Sequence, residues 1–133
     1  MYSKVMVIDD NAIDRYIAEV SIIKYGFAKE VISKDSALSA LDYLTSNAGT
    51  PENLPDIIFL DINMPEVNGF EFMEAFEKLP TTIHAICLVM MLSSSIDPAD
   101  QKRVNGNKLV SQFLNKPLTR DKLKELLSES HPV

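Results

Sequence analysis

The sequence of 133 residues has one cysteine, two histidines, no tryptophan and no long apolar run. Because Cys87 has no second cysteine to pair with, an internal disulfide is excluded, and a reducing compartment such as the cytoplasm is expected. His84 and His131 have no cysteine or acid at a ligand or catalytic spacing, so neither predicts a metal site. We expect His84 in a loop or at the start of a strand, and His131 in the C-terminal tail. No apolar stretch approaches the roughly 18 residues that indicate a membrane helix. We therefore expect a cytoplasmic protein that does not enter the membrane.

Basic charge is also scarce. Lysine and arginine number 13 against 19 acidic residues, which gives a net charge of -6, and no basic run exceeds Lys102-Arg103. Binding to a phosphate backbone needs clustered cations, so no nucleic-acid partner is expected. Lys4 and the pair Asp9-Asp10 interrupt the apolar stretch near the N-terminus, which argues against a signal peptide. Length and composition predict a single domain over residues 1–133.

The sequence does contain short apolar runs that alternate with helical patterns. Such runs are typical of strands that are buried on both faces of a parallel sheet. Their alternation with helices is the signature of repeated βαβ units. The predicted strands cover residues 5–8, 31–32, 57–60, 85–92 and 110–114. We therefore predict an α/β fold of the (βα)5 type.

Apolar spacing and capping residues place a helix after each strand. Ile13, Ile17 and Val20 lie at positions i, i+4 and i+7 of a first helix, over about residues 12–25. The third helix is expected to stop before Pro80. Stretch 46–55 is the longest irregular segment and is predicted to be a loop. The residues expected to cap or line the later helices are Asp35 or Ser36, Ala37, Leu41, Leu44, Phe72, Phe76, Leu79, Asp97, Thr119, Leu123, Leu126 and Leu127.

Polar side chains stand at the end of four of the predicted strands. Asp9 and Asp10 follow the first strand, Asp61 follows the third, Ser93 ends the fourth, and Lys116 comes directly after the fifth. In parallel α/β sheets, ligands bind at the carboxyl ends of the strands. These carboxylates, the hydroxyl and the ammonium are therefore expected to form one site.

The three carboxylates predict a bound cation. At about 5 Å and an effective dielectric constant near 20, each pair of carboxylates repels by roughly 3 kcal/mol. Such a cluster persists when its members share protons or hold a metal ion. Ligands that are all oxygen, with no nearby histidine or cysteine, favour Mg2+ over Zn2+.

Lys116 and Ser93 extend the expected chemistry from metal binding to phosphoryl transfer. An ammonium opposite a metal–carboxylate cluster balances additional negative charge, and phosphoryl oxygens are the obvious source. The Ser93 hydroxyl can donate a hydrogen bond to one of those oxygens. Asp61 is then the natural nucleophile, because a carboxylate can attack phosphorus while a divalent ion offsets the charge.

The sequence resembles the single-domain, chemotaxis-regulator-like receiver domain of two-component response regulators. The resemblance covers about residues 3–129, and its motifs occur in the family's order. The four stretches that carry it are VMVIDD, FLDINMPEVNGFEF, MMLSSS and FLNKP. It implies a flavodoxin-like, doubly wound sheet with the strand order 2-1-3-4-5.

The same resemblance implies a role for each site residue. Asp61 matches the phosphoacceptor, and Lys116 matches the lysine of the site, with a cis peptide before Pro117. Ser93 matches the switch hydroxyl and Phe113 the aromatic switch position, although Phe113 has no hydroxyl with which to form a new hydrogen bond. The residues implied to hold Mg2+ are Asp10 directly, Asp9 through water, Asp61, and Asn63 through its backbone carbonyl.

The function implied by the resemblance is signalling by phosphorylation. A histidine kinase or histidine phosphotransfer protein would deliver the phosphoryl group. A downstream protein partner would read the change on the fourth helix, fifth strand and fifth helix, or the group would pass onward in a phosphorelay. The chain would not be an enzyme beyond catalysing its own phosphorylation and dephosphorylation.

Three other functions are weighed against this one. An aspartyl-phosphate phosphatase needs a second acid at position 63, where Asn63 cannot act as a general acid. A flavin-binding module needs hydroxyls and glycines after the first strand, where Asp9-Asp10 would repel phosphate. A degenerate receiver that only binds partners is disfavoured, because all five matching site residues are present.

Overall fold

The computed structural model describes the backbone of residues 1–95 and 97–130 and the side chains up to residue 128. The expectation that His131 is a tail residue therefore falls outside the described residues. Five strands form one parallel sheet: β1 (Tyr2–Ile8), β2 (Ala28–Lys34), β3 (Ile57–Asp61), β4 (Leu88–Ser93) and β5 (Val110–Asn115). Their order is β2-β1-β3-β4-β5, which confirms the predicted order and the α/β, flavodoxin-like fold.

The central strands are apolar throughout because helices cover both faces of the parallel sheet. In the central pair, Val5 to Ile8 on β1 lie beside Ile57 to Leu60 on β3, and each is at most 1% exposed. β2 is at the edge of the sheet, as predicted, although it is longer than the two residues that the sequence indicated.

The α-helices within the described residues are α1 (Ala12–Lys24), α2 (Ala37–Ser46), α3 (Gly69–Glu77), α4 (Thr81–Ile86), α5 (Pro98–Asn105) and α6 (Arg120–Ser130). A short 3-10 helix (Pro51–Asn53) lies within the stretch 46–55 that was expected to be a loop. Three predicted caps are confirmed. The side chain of Ser36 accepts the N–H of Ser39. The side chain of Asp97 accepts the N–H of Ala99. The Thr119 hydroxyl lies 3.3 Å from the backbone nitrogen of Lys122.

The apolar run at residues 85–92 is not one strand, as the sequence predicted. Its first two residues belong to α4, and β4 begins at Leu88. The turn of helix buries Ile83 completely, and the backbone N–H of Cys87 donates to the Ile83 carbonyl. His84, expected in a loop or at the start of a strand, lies in α4 instead. Periodicity cannot separate a short buried helix from a buried strand, which explains the error.

The sheet divides the core into two layers, as expected for a doubly wound fold. One layer packs under α2, α3, α4 and α5, and the other under α1 and α6. No helix of the described residues is long and apolar enough to cross a membrane.

The apolar residues that predicted α1 do not face the sheet. Ile13, Ile17 and Val20 are 71%, 43% and 42% exposed, whereas Ala18 and Ile22 are 6% and 0% exposed and pack into the core. The spacing therefore indicated the helix but not its buried face. A large apolar surface remains on the outer side of α1.

Candidate functional site

Three carboxylates meet at the carboxyl edge of the sheet. Asp9 and Asp10 follow β1, and Asp61 is the last residue of the neighbouring strand β3. One oxygen from each side chain lies within 4.8 Å of the other two. Asp9 and Asp61 are buried, and Asp10 is exposed. The cluster thus has a closed inner part and an open outer ligand, an arrangement that can hold a metal ion.

Lys116 brings the positive charge into this cluster. Its Nζ atom lies 2.7 Å from Oδ2 of Asp9 and 3.6 Å from Oδ2 of Asp61. Its backbone N–H donates to the carbonyl of Ser93, and its peptide bond to Pro117 is cis, as the resemblance implied. Burial lowers the pKa of Lys116, but the hydrogen bond to Asp9 and the charge of Asp61 outweigh it, so the pKa is raised.

The Asp61 carboxyl group is harder to ionise in the folded protein than in water. Burial and the neighbouring charge of Asp9 raise the pKa of Asp61 to about 6, although Lys116 and a hydrogen bond from the Asn63 backbone act in the opposite direction. An acid whose charged form is this costly becomes stable when a cation joins the site. The raised pKa of Asp61 is therefore consistent with a cluster that binds a cation.

Backbone contacts hold the buried carboxylates in place. Oδ1 of Asp9 accepts the N–H of Asn11 at 2.9 Å, and Oδ1 of Asp61 lies 3.3 Å from the nitrogen of Asn63. On the other side of Asp61, α3 begins at Gly69. A Cβ atom at that position would lie 2.8 Å from the carbonyl oxygen of Asp61, so only glycine permits this close approach.

The donor set fits a hard metal ion. Carboxylate oxygens form the cluster, with no histidine or cysteine among the residues gathered there. Such ligands suit Mg2+, Ca2+ or Mn2+ rather than zinc. The side chains and nearby backbone carbonyls could therefore hold a divalent cation at the exposed edge.

Ser93 ends β4 at this edge and Phe113 lies two residues before the end of β5, but neither side chain is shown in contact with the acidic cluster. The Ser93 side chain is completely buried, and its hydroxyl donates to the Ser95 carbonyl at 2.6 Å. Phe113 is half-buried on β5, beside Met91 in the strand register, and packs against one core layer. The Ser93 hydroxyl must rotate before it can donate to a ligand at Asp61.

Two residues near the site were missed from the sequence. Oδ2 of Asp14 lies 3.1 Å from Nζ of Lys116, and the Arg15 guanidinium donates to the carbonyl oxygen of Asp9 at 2.8 Å. Both belong to the first turn of α1, which begins at this edge. The capping residue Asn11 and an acid three positions later were the available signal, but they usually indicate only a helix start.

Comparison with known families gives a match to nearly the whole chain. The model described as "Response regulator receiver domain" matches residues 5–128. The chain is 31% identical over 128 residues to the protein PilG of Pseudomonas aeruginosa, covering 90% of this chain and 81% of PilG. Among the curated relatives, the chain spans from 12% to 81% of the relative's length.

Two solved structures share the fold closely. The response regulator receiver protein of Dyadobacter fermentans has a TM-score of 0.87 and 33% identity, covering 98% of this chain and 99% of that one. The receiver domain of the histidine kinase CKI1 from Arabidopsis thaliana, solved in complex with Mg2+, has a TM-score of 0.80 and 28% identity. The match covers 97% of this chain and 92% of the CKI1 receiver chain.

Proposed function

The chain belongs to the family of response regulator receiver domains, which act in two-component signalling, and we propose that Asp61 is its phosphoacceptor. The observation that carries this proposal is the meeting of Asp61 with Asp9, Asp10 and Lys116 at one edge of the sheet. We propose further that the chain catalyses only its own phosphorylation and dephosphorylation, as a single domain in the cytoplasm.

In the proposed reaction an oxygen of Asp61 forms a bond to phosphorus. The bond from phosphorus to the imidazole nitrogen of a phosphohistidine breaks, and its electron pair stays on that imidazole, which then takes up a proton. The Nζ atom of Lys116 lies 3.6 Å from Oδ2 of Asp61, so the ammonium would attract the phosphoryl oxygens of a group bound there. Its ammonium is kept charged by the neighbouring acids, because they raise its pKa.

We propose Mg2+ as the metal of this site. Asp10, Asp61 and the backbone carbonyl of Asn63 would bind it directly, and Asp9 through water. When bound, Mg2+ offsets charge on the phosphoryl oxygens. Asp10 is the exposed member of the cluster, so it gives the site an open side. Lys116 and the backbone N–H of Asn63 lie beside the two oxygens of Asp61 and would hold its carboxylate in place.

The phosphoryl group would be read through Ser93 and Phe113. The Ser93 hydroxyl would leave the Ser95 carbonyl and donate to a phosphoryl oxygen, and the half-buried Phe113 ring would then pack inward. We propose that this changes the surface of α5, β5 and α6, where a downstream protein partner binds. The change is one of packing, because Phe113 has no hydroxyl group.

The donor is proposed to be a histidine kinase or phosphotransfer protein that covers the outer face of α1. A donor histidine has to reach Asp61 past the exposed Asp10, and α1 begins two residues further along the chain. Apolar side chains exposed together on one helix are typical of a protein interface. The exposed apolar residues of α1 are Ile13, Tyr16, Ile17, Val20 and Ile23.

Intact-mass spectrometry tests the central assignment. Incubation with acetyl phosphate and Mg2+ should add one phosphoryl group to the wild-type chain and none to Asp61→Asn. The control is Asp42→Asn, which removes an exposed carboxylate on α2 and should leave phosphorylation intact. A phosphoryl group on Asp61→Asn, or none on the wild type, would refute the assignment.

A further inference from the structure

Asp14 shares the Lys116 ammonium with the two buried carboxylates of the site. Nζ of Lys116 lies 2.7 Å from Asp9, 3.1 Å from Asp14 and 3.6 Å from Asp61. The ammonium is therefore closer to Asp14 than to the proposed phosphoacceptor. The Asp14 side chain is 39% exposed, so its charge stands at the solvent side of the site.

Both ends of this ion pair are attached to well-anchored backbone. The N–H of Asp14 donates to the side chain of Asn11 at 3.0 Å, and the Arg15 guanidinium ties the same turn of α1 to the Asp9 carbonyl. Lys116 is held by its backbone hydrogen bond to Ser93. A cavity of about 40 Å³ beside the pair is also lined by Ile17, Ala18, Leu92, Pro117 and Leu118. The Lys116 backbone is thus fixed, and the position of its ammonium depends on the carboxylates that surround it.

We infer that Asp14 is a positioning residue that holds the Lys116 ammonium toward α1 and so slows phosphorylation of Asp61. The inference rests on the function proposed above for Asp61 and Lys116. A lysine ammonium has three donors, and the one engaged by Asp14 is not available to a phosphoryl oxygen. The negative charge of Asp14 also repels the dianionic phosphodonor. Asp14 itself forms and breaks no covalent bond.

The rate of phosphorylation by acetyl phosphate tests this role. Asp14→Asn keeps an oxygen acceptor but removes the charge, and it should raise the second-order rate constant about fivefold, with a smaller gain at high salt. Asp14→Glu restores the charge and should return the rate toward that of the wild type. Glu19→Gln removes one carboxylate further along α1 and is the matched control, for which we expect less than a twofold change.

A second measurement needs neither metal nor phosphodonor. In the chelator-treated protein, the ammonium signal of Lys116 in proton–nitrogen NMR should shift in Asp14→Asn and stay in place in Glu19→Gln. If the wild type takes up phosphate while Asp14→Asn reacts no faster than Glu19→Gln, the role of Asp14 is overturned and that of Asp61 stands. If the wild type takes up none, the proposed function itself fails. An unshifted Lys116 signal in Asp14→Asn also overturns the positioning role.

Discussion

The carboxyl edge of the sheet has two sides that are stabilised in different ways. On the acidic side, comprising Asp9, Asp10, Asp61 and Lys116, three carboxylates have oxygens within 4.8 Å of one another, and the Lys116 ammonium lies 2.7 Å from Asp9 and 3.6 Å from Asp61. On the switch side, comprising Ser93 and Phe113, the hydroxyl is satisfied by its own loop and the ring packs on the core. The acidic side has an excess of negative charge. On the switch side, the Ser93 hydroxyl has a hydrogen-bond partner and Phe113 carries no charge.

This difference indicates which side responds first. Repulsion among buried carboxylates is relieved by a cation or a proton, so the acidic side is sensitive to metal, pH and phosphoryl groups. In the proposed mechanism, Ser93 and Phe113 change only when a new acceptor competes with the Ser95 carbonyl. The acidic side is thus suited to detect the ligand, and the switch side to report it through packing.

The largest expected effect comes from adding a methyl group where α3 packs against the backbone of Asp61. In Gly69→Ala, the new Cβ would lie 2.8 Å from the Asp61 carbonyl oxygen and 2.9 Å from the Ile62 Cα atom. Overpacking against backbone should lower the free energy of unfolding by about 3 kcal/mol. Urea denaturation measures it. Gly49→Ala is the control, because no atom lies within 4 Å of its Cβ position. Equal losses in the two variants would contradict the close approach of α3 to Asp61.

The second effect follows from the pKa of Asp61, which burial and Asp9 raise from 3.8 to about 6. As the pH rises between these values, the unfolded carboxyl loses its proton while the folded one keeps it, so the wild type loses stability. In Asp61→Asn, the amide side chain stays neutral at every pH, so folding does not have to bury a charge at this position. With chelator present, the variant should therefore be more stable than the wild type by about 3 kcal/mol near pH 8 and equally stable near pH 3. Denaturation across this pH range measures the difference, and a gap that does not change with pH would contradict the prediction.

Magnesium should produce the third effect, and only through the acidic side. At a concentration about ten times its dissociation constant, it should stabilise the wild type by about 1.4 kcal/mol, visible as a higher thermal midpoint. Asp10→Ala removes an exposed ligand and should show a weaker rise, because the two buried carboxylates remain. Differential scanning fluorimetry with and without chelator measures both. Equal midpoints for the wild type in the two conditions would rule out the proposed metal site.

The smallest effect is expected on the switch side. Ser93→Ala removes the hydroxyl that donates to the Ser95 carbonyl, and it should lower the free energy of unfolding by about 1 kcal/mol. Ser95 is exposed, so water can replace the lost donor. The stabilisation by magnesium should equal that of the wild type when both are measured by thermal unfolding. A lost magnesium response would show that the two sides are not separate.

Much of the fold follows from local patterns in the sequence. Val5 to Ile8 and Ile57 to Leu60 were recognised as buried strands because apolar runs without alternation require cover on both faces. Asp97 and Thr119, and either Asp35 or Ser36, are predicted as caps because their side chains can accept the free N–H groups of a first turn. The structure shows that Ser36 is the cap of α2. The start of β4 was placed too early, since Ala85 and Ile86 are as apolar in a helix as in a strand.

The position of the candidate site also follows from the sequence, because residues after parallel strands meet at one edge. That rule brought Asp9, Asp61 and Lys116 together without knowledge of any distance. It could not bring in Asp14, which lies within a helix and reaches Lys116 only because α1 turns its first residues toward the site. Nor could it show that Ile13 and Ile17 face outward.

The sequence by itself determined the alternation of five strands with helices, apart from the additional helix α4, and the group of charged residues at the strand ends. These depend on the periodicity of burial and on the fixed direction of parallel strands. Only the tertiary structure decided which carboxylates are buried, which acid shares the Lys116 ammonium, and which face of α1 stays uncovered. Burial and charge pairing depend on how helices rotate and pack against the sheet, and that packing is set by contacts between residues far apart in the chain.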